Sequence, residues 1–180
     1  TIAVVGGGAT GVSVADNLAR RTRSRVHLFF SGDELLPEHH PSARRWIAHR
    51  LHRDGVDLHP GHRAVLPGGE APDRITDGAI EWSTGQPSFM ADAVVWAVGA
   101  VRPHTSFLPR EVLDDQGFVS VDRHLCVPGT SNVFAVGDVA ASDPLRSSAR
   151  NWGHRVVVAN VRRVLAGRSP RRRFRAPKYR

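Results

Sequence analysis

Gly6, Gly8 and Gly11 stand at the spacing G-x-G-x-x-G, inside the run Gly6-Gly7-Gly8-Ala9-Thr10-Gly11. The chemistry that this spacing serves is contact between bare backbone and two linked phosphates. Its first glycine permits a tight turn, its second lets main chain approach a diphosphate, and its third lets a helix lie close on a strand. The amides of Ala9 and Thr10 would open that helix, where exposed N–H groups and the positive end of the dipole attract anions. An ordinary glycine-rich loop is the alternative, and the flanking elements separate the two. Residues 1–5 are β-type, and Val12, Ala15, Leu18 and Ala19 recur on one side of a helix that follows.

Other chemistries find less support. Of ten histidines, His49 and His52 lie one turn apart with His59 and His62 beyond, but no Cys or acid completes a ligand set, so no metal is expected. Neither a G-x-S-x-G elbow nor a Cys/His pairing supports acyl transfer, and no catalytic side chain is assigned. Cys126 is the only cysteine, which excludes an internal disulfide. It reads as a small buried hydrophobe beside Leu125 and Val127 in a reducing compartment. Trp46, Trp82, Trp96 and Trp152 read as core or interface residues.

The elements that must position the glycines follow from pattern. With 180 residues, 41% hydrophobic and 23% charged, the chain suits a globular protein of one domain or a domain and part of another. No apolar run of membrane-spanning length occurs, and with the first residues reading as a strand no signal peptide is expected. The spacing predicts a second buried strand over 25–30, a helix entering at Pro41 and stopped by Gly55, and a third strand over 56–59. Three short β segments follow, over 63–66, 79–83 and 91–98, the last ending on Gly99. A meander there, in place of another helix, is unlike the usual dehydrogenase half-domain. Further strands are expected over 117–121 and 132–136, the latter ending at Gly137 and Asp138, then a helix over 147–165.

The formal charge of +8 is local. Residues 162–180 hold nine Lys or Arg and no acid, leaving 16 basic and 17 acidic residues before them. The segment 168–180 reads as an extended basic arm, solvated or touching an anionic membrane surface, and specific nucleic-acid recognition is not expected.

Four ordered motifs carry a resemblance: Val4-Val5-Gly6-Gly7-Gly8-Ala9-Thr10-Gly11-Val12, Ser31-Gly32-Asp33-Glu34-Leu35-Leu36-Pro37, Val95-Trp96-Ala97-Val98-Gly99 with Arg102-Pro103, and Asn132-Val133-Phe134-Ala135-Val136-Gly137-Asp138. Together, with 146–151 and 174–179, the sequence resembles the pyridine-nucleotide-dependent flavoprotein reductases with two dinucleotide-binding domains. It is most similar there to type II NADH dehydrogenases and apoptosis-inducing-factor-like NAD(P)H oxidoreductases.

The resemblance implies an α/β fold: a Rossmann-like parallel sheet with a β-meander crossover, then the returning part of a second, FAD-binding domain. It implies an NAD(P)-binding domain over 1–110, the C-terminal portion of an FAD domain over 111–167, and the arm over 168–180. The chain would then be a piece, inactive alone, lacking the first FAD segment. Strand 132–136, apolar on both faces as in the middle of a parallel sheet, would lack neighbours and be poorly paired or sit against another copy of the chain.

Carried over by position, Gly6, Gly8 and Gly11 with the amides of Ala9 and Thr10 would hold the pyrophosphate of NAD(P)H. Val98 and Gly99 would face the same nucleotide. Gly137 precedes Asp138, which would bind a ribityl hydroxyl of FAD, with residues 151–153 near the flavin ring. On position alone Asp138 reads equally as a turn cap. The ribose end of the nucleotide site falls to Phe30 and Ser31, with neither a carboxylate nor an arginine at the strand tip, which leaves NADH and NADPH open. Ser13 stands where many relatives carry Glu, so a proton-coupling role is not carried over from them. The implied activity is hydride transfer from NAD(P)H to FAD and on to a quinone-like or protein acceptor, in the cytoplasm or peripheral to a membrane. The alternative is a non-catalytic module that senses NAD(P) or an ADP-containing nucleotide.

Overall fold

The computed structural model describes residues 1–99 and 103–178, so Arg102 and Tyr179 of the resemblance lie outside the described residues. The chain divides into two compact units, Thr1–Ala100 and Val101–Arg180.

The first unit runs β1 (Ile2–Val5), α1 (Ala9–Arg21), β2 (Val26–Phe29), α2 (Pro41–Arg53), β3 (Val56–His59), β4 (Thr76–Ile80) and β5 (Phe89–Trp96). These strands form one sheet in the order β3-β2-β1-β5-β4. β1, β2, β3 and β5 are parallel, and β4 returns antiparallel to β5. The α/β fold expected from the sequence is the fold observed.

β1 and β2 are almost wholly buried because the sheet is covered on both faces, which is why their sequences read as continuous apolar runs. Successive side chains still alternate. Val4, Val26 and Leu28 join Ala15 of α1 and Leu51 of α2 on one face. On the other, Ala3, Val5 and Phe29 meet Ile80, Trp82 and Val94. α2 starts on Pro41, whose missing N–H costs nothing in a first turn, while His40 Nδ1 accepts from the Ser42 amide at 3.2 Å.

Two of the three meander segments become strands. The expected strand over 63–66 is reduced to a single bridge, Ala64 with Trp82, because Pro67 opens a 3₁₀ turn, Pro67–Gly69, that ends the extended run. The middle strand lies over Thr76–Ile80, three residues earlier than the pattern indicates. Trp82 is in the core, whereas Trp46 and Trp152 are 63% and 58% exposed.

The second unit contains α3 (Gly153–Leu165) and few ladders among its described residues. Residues 117–121 and 132–136 form no strand, only bridges of Val119 with Leu113 and Ala140, and of Phe134 with Cys126. The expectation of a mid-sheet strand over 132–136 is therefore corrected: Phe134 pairs antiparallel, and Val133 is 47% exposed. The segment pairs with 125–127 through two backbone hydrogen bonds beside that bridge, Val127 N–H to the Val133 carbonyl at 2.9 Å and Ala135 N–H to that of Leu125 at 3.1 Å.

α3 begins six residues after the expected 147. Asp143 captures the Ser147 amide at 3.0 Å and its hydroxyl at 3.2 Å, so 143–147 closes as a side-chain-capped turn. Trp152 then enters the left-handed region at φ 63° before the helix starts. The segment after α3 is irregular but anchored. Fully buried Asn160 accepts the amides of Arg171 and Arg172, both at 2.9 Å, and donates to the carbonyls of His124 and Arg172 at 3.0 and 2.9 Å.

Candidate functional site

The carboxyl ends of β1, β2, β3 and β5 open on one cleft of about 460 Å³ in the first unit. In a parallel α/β sheet this edge is where ligands bind, since helix N-termini and loops converge there. Gly6, Gly8, Ser31, Val98 and Gly99 line it together. Ala9 and Thr10 are exposed in the first turn of α1, whose opening amides have no carbonyl one turn before them.

The four glycines of the loop differ in what they are for. Gly6 has φ 132°, and a Cβ there would run into the carbonyl of Ala97. A Cβ on Gly11, which is buried, would run into the carbonyl of Gly6. One on Gly7 would come within 2.7 Å of the Phe30 Cβ. Those three positions need glycine because the βα turn is packed tightly. Gly8 is unlike them: its φ of −79° and ψ of −178° suit any residue, and a Cβ there meets nothing within 4 Å. Packing within the chain does not require glycine at this point, where bare backbone faces the cleft at the start of a helix with no acid in its first turn. A diphosphate fits such a cradle.

Sequence reasoning missed the opposite wall, built by His62, Arg63, Ala64 and Leu66. The loop after β3 is laced to the tip of β2. Phe30 N–H donates to the His59 carbonyl at 3.0 Å, His62 N–H to that of Phe30 at 2.9 Å, and Gly61 N–H to that of Gly32 at 3.1 Å. That β3 ends at His59 was readable, and a loop leaving the carboxyl end of a parallel strand is itself the signal that finds this wall.

Beside the cleft, Phe29 stacks on His59 with ring centroids 4.3 Å apart and on Trp82 at 4.6 Å. His27 Nδ1 and His59 Nε2 are 3.0 Å apart, so one proton serves the contact. Burial above all holds both imidazoles below their ordinary value, the charge of Asp57 opposing it in each. Asp57 is held below the usual carboxylate range chiefly by its hydrogen bond from Arg25 at 2.7 Å.

Gly137 and Asp138 belong to the second unit. The Gly137 amide donates to Ser148 Oγ at 2.9 Å, and Gly137 adopts φ 93°. Asp138 is exposed and its carboxylate makes no hydrogen bond or ion pair among the described residues, so the turn-cap reading of Asp138 finds no support in the geometry. Among the described residues no group of three or more His, Cys, Asp or Glu is placed to hold a metal ion.

The family model for pyridine nucleotide-disulphide oxidoreductases matches residues 1–162, nine-tenths of the chain. The chain belongs to that family. Among curated relatives of this oxidoreductase family, the oxidoreductase ptaL of Pestalotiopsis fici is 34% identical over 146 residues, covering 79% of this chain and 38% of the relative. The type II NADH:quinone oxidoreductase Ndh of Mycobacterium tuberculosis is 27% identical over 197 residues, 96% of this chain and 41% of its own length. In fold, the chain is similar to the HOCl-induced flavoprotein disulfide reductase RclA of Escherichia coli, solved as a Cu(II) complex. The TM-score is 0.64 at 23% identity, over 93% of this chain and 36% of that one. This family member thus spans about two-fifths of the length of the two curated relatives.

Proposed function

We propose that this chain supplies the NAD(P)H-binding part, and a share of the FAD-binding part, of an oxidoreductase that passes hydride from NAD(P)H to FAD and on to a quinone-like or protein acceptor. The observation that carries the reading is Gly8: a glycine that neither backbone conformation nor packing requires, set at the start of α1 on the cleft wall.

Gly8 and the amides of Ala9 and Thr10 would hold the pyrophosphate, with Gly6 and Gly11 shaping the turn beneath it. Ser31, on the cleft wall just past β2, would meet the ribose, and Val98 and Gly99, just past β5, would face the same nucleotide. Gly137 and Asp138 would meet the ribityl chain of FAD, the carboxylate accepting from a hydroxyl. The two cofactors, when bound, supply the hydride donor and acceptor. The residues named here bind and orient, and none of them moves a proton in the reaction.

Titration calorimetry of the purified chain with NADH and NADPH tests the reading. Saturable one-to-one binding of at least one nucleotide, competed by ADP, is expected. No heat and no competition up to millimolar nucleotide would refute it.

A further inference from the structure

We infer that the cleft prefers the 2′-phosphorylated dinucleotide, NADPH, and that Arg63 is the residue that reads its phosphate. The inference rests on the dinucleotide reading above. In folds of this type the adenosine ribose is met at the end of the second strand, where an acid takes the free 2′-hydroxyl and a nearby arginine accommodates a 2′-phosphate.

Here the tip of β2 offers buried Phe30 and exposed Ser31. Of the acids that follow, Glu34 is drawn away to Arg44 at 2.6 Å, and Asp33 is exposed and not on the cleft wall. Among the described residues, no carboxylate lines the cleft.

The cation comes from elsewhere in the chain. The loop after β3 lies along 30–32 through its three backbone hydrogen bonds, and Arg63 follows directly on the residue bonded to Phe30. Its own backbone is held from the far side. The Arg63 amide donates to Thr84 Oγ1 at 3.1 Å, and its carbonyl accepts from the Ser83 amide at 2.8 Å and the Ser83 hydroxyl at 3.1 Å. The residue is exposed, lines the cleft, and takes part in none of the ion pairs among the described residues. A guanidinium on a fixed backbone, without an acidic partner, gains a charge-assisted and potentially bidentate contact from a phosphate dianion. The 2′-hydroxyl of NADH offers it only a neutral acceptor.

The test is a pair of dissociation constants, for NADPH and NADH, measured on the chain and on its Arg63→Gln and Arg63→Lys variants. NADPH is expected to bind about tenfold or more tightly than NADH, the scale of one charge-assisted contact. Arg63→Gln should remove that ratio, and Arg63→Lys should keep part of it. The ratio should shrink in high salt. Equal or tighter binding of NADH, or an Arg63→Gln variant that retains the ratio at an unchanged urea midpoint, would overturn the preference while leaving the dinucleotide reading intact. Binding of neither nucleotide would overturn both.

Discussion

Replacing Gly8 and Gly11 separately by alanine should divide binding from stability. At Gly8 the backbone is extended and the Cβ position is open to 4 Å. Alanine there gains about 0.4–1 kcal/mol by restricting the unfolded chain. It loses a comparable amount, because glycine is the better N-cap residue. The net change in stability should stay within about 0.5 kcal/mol. The added methyl group, however, would stand between an incoming diphosphate and the amides proposed to bind it. Losing one charged hydrogen bond costs about 1.5–3 kcal/mol, or roughly tenfold to a hundredfold in affinity. Gly11→Ala should behave in the opposite sense. Its Cβ would overlap the Gly6 carbonyl, and such crowding costs about 1–3 kcal/mol, against which helix propensity returns up to about 1 kcal/mol. Urea denaturation and calorimetric titration with NADPH, run on both variants, supply the two axes. A Gly8→Ala chain that keeps full nucleotide affinity, or that is destabilised more than Gly11→Ala, would refute the division of labour among these glycines.

Stability should also fall on acidification from pH 7.5 to 5.5. His27 and His59 are held below the ordinary value of 6.5, so in this window the unfolded chain binds more protons and the folded state loses ground as pH drops. The loss begins near the unfolded value and ends at the lowered folded values; His59→Gln should flatten the urea midpoint across this range, and an unchanged slope would contradict it. In the second unit, Asn160→Ala removes four hydrogen bonds from a fully buried side chain. Because Arg171 and Arg172 are exposed, water replaces part of what is lost, and a cost of about 2–3 kcal/mol is expected. Trypsin should then cleave at 171–173 faster, and cleavage at the original rate would count against the anchoring role.

The first unit was legible because its signals are local and periodic. β3 appears at Val56–His59 as its pattern indicates, and α2 begins at Pro41. The glycine spacing likewise located the cleft. What stayed hidden was its second wall: His62 and Arg63 carry no motif, and they reach the site only because β3 pairs with β2 and brings its following loop alongside Phe30. The second unit was misread for a physical reason too. A run such as 132–136 has strand-like composition, but a strand exists only where a partner offers its backbone, and the ladder here stops at the Phe134–Cys126 bridge. Asn160 was visible as a polar residue in the apolar stripe of α3. Its partners, 11 and 12 residues further on in one direction and at His124 in the other, were not.

In place of ladders, the second unit repeats one local device. Asp114 Oδ1 accepts the amides of Gln116 and Phe118, Asp122 Oδ1 those of His124 and Cys126, and the Asp143 carboxylate those of Leu145 and Ser147. In each case the carboxylate takes the amides two and four residues on, so a side chain supplies the acceptor that a neighbouring strand would otherwise provide. The third of these turns bears on the Gly137-Asp138 turn. By fixing Ser147 it sets Ser148, whose hydroxyl receives the Gly137 amide and so holds the backbone next to Asp138. Asp114, Asp122 and Asp143 are each engaged with their own loops, whereas Asp138 directs no described bond inward. Under the reading proposed above, a carboxylate whose adjoining backbone is held in this way and which the described fold leaves unused would be available to accept from a ribityl hydroxyl.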